Sequence, residues 1–141
     1  MPVLILYRLV SAAMVFAMNL RLSEDEQYRV TKFDQICARH MTVVNDIISW
    51  EKEFKMYKDH TGKNEELCSA VQIFCKESRL DIAAAKNVLW VMSREWERIY
   101  DELEREFIQQ GASQVEVEYI KGVRYQMSGN EHWSKTTSRY N

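Results

Sequence analysis

The stretch VVNDIISWEKEFK, residues 43–55, places three oxygen-bearing side chains on one face of a helix. Asn45, Ser49 and Glu53 follow one another at intervals of four. On an α-helix that turns ~100° per residue, these positions fall within an arc of roughly 80°. Lys52 lies on the same face, beside Asn45. No proline or glycine interrupts the stretch, which is predicted to lie well inside a helix.

The composition of the whole chain favours helices. Its 141 residues include one proline and four glycines, and 28% of them are charged. This length supports one ordinary core, so we predict a single all-α unit over residues 1–141. The 19 basic and 21 acidic residues are mixed along the chain, which argues against nucleic acid as a partner.

Capping signals mark the first two predicted helices. Residues 3 to about 20 are apolar on nearly all sides, which predicts a buried helix inside a larger helical assembly. Ser23 and Glu26 have the form of a capping box that opens a long second helix, and this helix contains the quoted stretch. A polar loop is predicted at 59–66.

The second half of the chain predicts three further helices. A short helix at 67–78 is followed by Asp81, a suitable N-cap for the fourth helix, and Gly111 is a suitable C-cap for it. A final helix begins at about residue 114. Apolar residues of the fourth helix recur at spacings of three and four and predict one buried stripe: Ile82, Ala85, Leu89, Met92, Trp96, Ile99, Leu103 and Phe107.

Neither the apolar start nor the cysteines indicate secretion or a membrane anchor. Arg8 interrupts the first apolar run, so no membrane span is predicted. The cysteines are odd in number and match no disulfide or metal spacing, which indicates buried thiols in a reducing compartment and predicts a cytoplasmic protein: Cys37, Cys68 and Cys75.

The three oxygens on the second helix have two interpretations. An amide, a hydroxyl and a carboxylate are hard ligands that suit Mg²⁺, which takes the rest of its shell from water or substrate phosphates. Helix faces with such residues are also common as solvated surfaces. Asn45 and Glu53 are ~12 Å apart along the axis, so a shared ion must sit near Ser49. The adjoining Ile47 and Ile48 place the polar groups near a core, where they require partners.

A second group of candidate residues lies at the C-terminus. Arg139 offers a planar fork of donors that suits phosphate oxygens, and Tyr140 offers a phenol donor. Lys52 adds a further cation. Trp133 offers a π face that attracts a cation. Singly, each has an ordinary structural explanation; together they indicate a site for an anionic, ionising substrate.

These two motifs carry a resemblance to a known family. NDIISWEKE resembles the Asn-Asp-x-x-Ser-x-x-x-Glu magnesium motif of class I terpene cyclases, and WSKTTSRYN resembles the Arg-Tyr ending of their fungal and bacterial members. In amino-acid sequence, the chain most resembles the fungal aristolochene synthases, a group of sesquiterpene cyclases. The resemblance covers nearly the whole chain.

The resemblance implies an α-helical terpenoid synthase fold, farnesyl diphosphate as substrate and three Mg²⁺ ions in the complete site. It assigns Asn45, Ser49 and Glu53 to one Mg²⁺ ion. It assigns diphosphate binding to three residues, Lys52, Arg139 and Tyr140, and stabilisation of a carbocation to Trp133. A homo-oligomer is compatible with the sequence.

The sequence departs from the family pattern in two respects. The aspartate-rich motif that the family carries on an earlier helix does not occur in these 141 residues, and no residue is identified as the arginine that senses diphosphate on a helix between the two motifs. We therefore expect the chain to be the C-terminal half of a cyclase, with little or no activity alone. The alternative is a non-catalytic helical binding module whose polar face is solvated.

Overall fold

Five helices make up the part of the chain that the computed structural model describes, residues 2–60 and 67–138. They are α1 (Pro2–Ala17), α2 (Glu24–His60), α3 (Ala70–Ser78), α4 (Ile82–Gln109) and α5 (Gln114–Thr136). The two described ranges contain no strand. The all-α prediction is confirmed.

The long helix α2 is the axis of the fold, and α5 runs parallel to it. Ser113, at the start of α5, donates to Glu26 at 2.7 Å, and Tyr119 donates to Asp34 at 2.9 Å. These pairs are separated by 87 and 85 residues, so the two helices keep a nearly constant register. Helix α4 runs antiparallel to α2, because His40 contacts Glu97 while Phe33 contacts Phe107 further along α4.

The main core lies where α2, α4 and α5 meet. Phe33 of α2 is 1% exposed and sits edge-on against the rings of Tyr100 and Phe107, with centroids 5.1 and 5.4 Å away. Tyr100 is fully buried, and its hydroxyl donates to the carbonyl of Ile120 on α5. Edge-to-face rings bury large apolar areas in fixed geometry, so this cluster fixes the three helices against one another.

A second apolar cluster joins the C-terminal half of α2 to α3 and α4. Its buried members include Ile47 and Trp50 on α2, Val71 on α3 and Leu89 on α4. Ile47 and Trp50 belong to the quoted stretch, so one side of that stretch is apolar and buried.

Helix α1 lies across α2 and α5 and buries only one side. The Tyr7 hydroxyl donates to Asp34 on α2 at 2.7 Å. Gly122 of α5 allows a close approach, because a Cβ atom there would lie 2.3 Å from the Met14 sulfur. On the other side, Leu9 is 66% and Phe16 is 87% exposed. Among the described helices, none is both long and apolar enough to cross a membrane.

The predicted capping signals are confirmed. Ser23 and Glu26 form the capping box, with the Ser23 backbone N–H donating to Glu26 at 2.9 Å. Asp81 accepts from the Ala84 N–H at 2.8 Å and begins α4. Gly111 follows the C-cap of α4 with φ of 87°, a backbone conformation that favours glycine.

The buried stripe predicted for α4 is partly wrong. Met92 and Ile99 are 37% and 38% exposed, whereas Ser93 and Tyr100 are fully buried in their place. The two polar residues can lie inside because each hydroxyl has a partner: Ser93 donates to the Trp90 carbonyl, and Tyr100 to Ile120.

Candidate metal site

The structure places the three candidate metal ligands on one side of α2 in a partly enclosed position. Ser49 is fully buried, and its Oγ has no hydrogen-bond partner among the described residues. Asn45 and Glu53, one turn before and after it, are half-buried, while Lys52 is exposed. A solvated helix face would expose its central hydroxyl to water. The burial of Ser49 therefore argues against the interpretation of this face as an ordinary solvated surface.

This side of α2 is the one that α1 partly covers. Asp34 accepts from Tyr7 of α1, and Asn45 lies three turns further along the same stripe of α2. The candidate ligands therefore continue the surface beneath α1 toward the C-terminal end of α2.

Trp133 of α5 lies at the same level and on the same side. The register of the two parallel helices, 85 to 87 residues, puts Trp133 level with Ile47. On α5, Gln126 contacts Ser11 of α1, and Trp133 lies two turns beyond it on the same stripe. The indole is 48% exposed. The helix register therefore places Trp133 at the level of the polar triad, on the side of α5 that contacts α1.

The other C-terminal candidates are not placed. Helix α5 ends at Thr136, and Arg139 and Tyr140 lie outside the described residues. Their assignment to diphosphate stays a prediction.

Asp46, next to Asn45 in the sequence, points to a different neighbour. Its Oδ2 accepts from the backbone N–H of Ala70, the first residue of α3, at 2.6 Å. The pKa of the Asp46 carboxyl is raised overall. Burial is the largest cause, the negative charge of Glu53 adds to it, and the hydrogen bond from Ala70 opposes it. No local pattern in the sequence predicts this role, because the two bonded groups are 24 residues apart.

The donor set on α2 suits a hard divalent cation that keeps part of its shell for other ligands. It offers one carboxylate, one hydroxyl and one amide oxygen, so a divalent cation bound there keeps a net positive charge that can attract a phosphate. Such a cation would also supply the missing partner of Ser49. The residues present therefore fit a Mg²⁺ ion that is shared with a phosphate group.

A second cluster of potential ligands lies among α2, α4 and α5. One ligand atom each from His40, Glu97 and Glu131 comes within 4.8 Å of the others. The guanidinium of Arg94 already bonds both carboxylates, at 2.5 Å to Glu97 and 2.6 Å to Glu131. A cationic side chain therefore occupies the place that a metal would take.

The pKa of Glu131 gives this network a measurable pH dependence. Hydrogen bonds from Arg94, and from Lys135, lower the pKa of Glu131 from its usual 4.5 to about 2. Ionised Glu131 therefore stabilises the folded state, and this contribution is complete above pH 4.5. It disappears as the pH falls toward 2 and the carboxyl is protonated in the folded state as well. We expect the urea midpoint of the wild type to exceed that of Glu131→Gln at pH 6, with the difference shrinking between pH 4.5 and 2. A constant difference would contradict the assigned pKa.

Comparisons with known proteins show the family of this chain. Residues 3–98 match the family model described as terpene synthase family 2, C-terminal metal binding. The chain is 48% identical to an aristolochene synthase of Penicillium roqueforti over 135 residues and 44% identical to one of Aspergillus terreus over 133 residues. These matches cover 94% of this chain but only 40% and 42% of the relatives.

A solved structure shows the same fold. The crystal structure of aristolochene synthase from Penicillium roqueforti matches 93% of this chain at 47% identity, with a TM-score of 0.81, and 42% of its own length is covered. The helices and their polar face thus define the C-terminal part of an α-helical terpenoid synthase fold. The chain belongs to terpene synthase family 2.

Proposed function

We propose that this chain carries the diphosphate-binding side of a sesquiterpene cyclase active site. Asn45, Ser49 and Glu53 bind one Mg²⁺ ion, and the substrate is farnesyl diphosphate. The observation that carries the proposal is the buried Ser49 hydroxyl, which has no partner among the described residues and lies between two half-buried oxygen ligands. The 48% identity to an aristolochene synthase supports the substrate class.

The positions of the side chains suit the departure of diphosphate from a prenyl chain. Mg²⁺ bound at the triad would neutralise charge on the diphosphate as its bond to carbon breaks. Lys52, exposed beside the triad, adds a cationic contact to the diphosphate, and Arg139 and Tyr140 donate hydrogen bonds to it. Trp133, at the level of the triad in the helix register, offers a π face that would favour a carbocation.

The complete site needs more than this chain. The family's aspartate-rich motif is absent from the 141 residues, so we propose that two further Mg²⁺ ions, of three in all, bind to a part of the enzyme outside them. The exposed apolar residues of α1, led by Phe16, suit contact with additional helices. Alone, the chain is inactive on farnesyl diphosphate. We propose a cytoplasmic enzyme, consistent with its free cysteines, that can assemble as a homo-oligomer.

Ligand-dependent stability tests the proposal on the chain itself. Mg²⁺ together with inorganic diphosphate is expected to raise the Tm, because a ligand that binds only the folded state stabilises it. Glu53→Gln should abolish most of this rise. Glu51→Gln is the matched control, since Glu51 lies on the same helix but pairs with Lys86 of α4.

The opposite result would favour the non-catalytic binding module. That interpretation predicts a folded chain whose Tm does not respond to Mg²⁺ and diphosphate. An equal response in wild type and Glu53→Gln would remove Glu53 from the metal site.

A further inference from the structure

We propose that Asp46 is a positioning residue that orients the metal-binding side of α2 by anchoring it to the N-terminus of α3. This inference rests on the proposed function, because it concerns the orientation of Asn45 and Ser49 toward a shared ion. Asp46 itself does not contact the ion.

The anchor is a single directional bond between two helices. Asp46 Oδ2 accepts the N–H of Ala70, the first residue of α3, at 2.6 Å. The next N–H, from Val71, is capped locally by Ser69 at the longer distance of 3.3 Å. The first N–H groups of a helix have no partner within the helix, so α3 depends on α2 for the shorter of these two bonds.

The bond acts on the metal site through the local position of the α2 turn that carries Asn45 and Asp46. Ile47 and Trp50 hold this part of α2 against α3 and α4 through apolar contacts, which set no single direction. The hydrogen bond to the Ala70 N–H adds a directional contact at this turn. Because Asn45 is the adjacent residue, ~100° around the helix, a fixed Asp46 also fixes the direction of Asn45. Groups that hydrogen-bond directly to a metal ligand typically change metal affinity 10- to 100-fold when removed. Asp46 acts on Asn45 through the backbone, so we expect an effect at the lower end of that range.

The alternative is that Asp46 is itself a metal ligand. Substitution by Asn keeps an acceptor for the Ala70 N–H but replaces the carboxylate by a neutral amide oxygen, which would weaken a direct ligand. Substitution by Ala removes both the acceptor and the carboxylate. Ala70→Pro completes the distinction, because it removes the hydrogen bond and leaves the Asp46 carboxylate intact.

The experiment is a Mg²⁺ titration at fixed inorganic diphosphate, followed by isothermal calorimetry on the 141-residue chain. Asp46→Ala should weaken the apparent Mg²⁺ affinity about 10-fold or more, and Asp46→Asn should stay close to wild type. Asp81→Ala is the matched control. Asp81 also caps a helix, accepting from Ala84 at 2.8 Å on α4, so its loss should lower the Tm but leave the affinity unchanged.

A second variant removes the donor and leaves Asp46 intact. Ala70→Pro deletes the N–H at the first position of α3, where proline is well tolerated. The preceding Ser69 is extended, with φ of −134° and ψ of 141°, as a residue before proline should be. This variant should weaken Mg²⁺ as Asp46→Ala does, and it serves as the test if Asp46→Ala does not fold.

The possible results distinguish a positioning role of Asp46, a direct-ligand role of Asp46 and a failure of the proposed function. Unchanged Mg²⁺ affinity in Asp46→Ala or in Ala70→Pro would overturn the inference and leave an ordinary helix cap. A large loss in Asp46→Asn would overturn it in favour of a direct ligand. A folded wild type that shows no Mg²⁺ effect would contradict the proposed function itself, and the inference with it.

Discussion

Fused to the part of the Penicillium roqueforti relative that precedes the matched region, this chain is expected to convert farnesyl diphosphate to a cyclic product only when Mg²⁺ is present. In the fusion, Glu53→Gln should lower turnover by about 100-fold or more, which is the usual cost of losing one group that stabilises charge in a transition state. The reason is that Glu53 is the only carboxylate of the three proposed ligands. Product formation measured by gas chromatography, with and without Mg²⁺, checks this prediction.

Two controls make the fusion result interpretable. Glu51→Gln should retain turnover, because Glu51 pairs with Lys86 away from the triad. The chain without the added part should give no cyclic product. Normal turnover in the Glu53→Gln fusion would remove Glu53 from the metal site, and turnover by the bare chain would show that the 141 residues are sufficient.

Phe33→Ala is expected to cost about 3 to 5 kcal/mol of unfolding free energy, the range typical of truncating a buried aromatic ring. Phe33 is 1% exposed and touches the rings of Tyr100 and Phe107, both on α4. Its removal leaves a cavity at the junction of three helices. Urea unfolding followed by circular dichroism measures the change.

The matched control for Phe33 is Phe16→Ala on α1. Phe16 is 87% exposed, so its truncation should change the unfolding free energy of this chain by no more than about 0.5 kcal/mol. A loss below about 1 kcal/mol for Phe33→Ala would contradict the position assigned to this core. Equal losses for the two variants would contradict the exposure of Phe16 on α1.

Local signals in the sequence were sufficient for the helices and for the face that carries the candidate site. The Ser23 capping box, the Asp81 cap and the turn at Gly111 each depend on a few neighbouring residues, and all three occur as predicted. The spacing of Asn45, Ser49 and Glu53 on one helix is equally local. The spacing of apolar residues gave a partly wrong buried stripe for α4. Tyr100 is buried although it carries a hydroxyl, because that hydroxyl donates to a carbonyl on another helix.

The remaining features depend on how the helices meet. The level of Trp133 along α2 follows from the parallel register of α2 and α5, which no local pattern encodes. The bond between Asp46 and Ala70 joins two helices, and the network of His40, Glu97 and Glu131 joins three. Such contacts are determined by tertiary structure, so they could not be read from spacing.

The most direct test of the metal site is to grow crystals of the 141-residue chain with Mn²⁺, a hard cation similar to Mg²⁺, and inorganic diphosphate, and to measure the anomalous scattering of manganese. The proposal predicts a manganese peak about 2.1 Å from oxygens of Asn45, Ser49 and Glu53, with diphosphate completing its shell. A peak confined to His40, Glu97 and Glu131, or diphosphate bound with no metal at the triad, would contradict it.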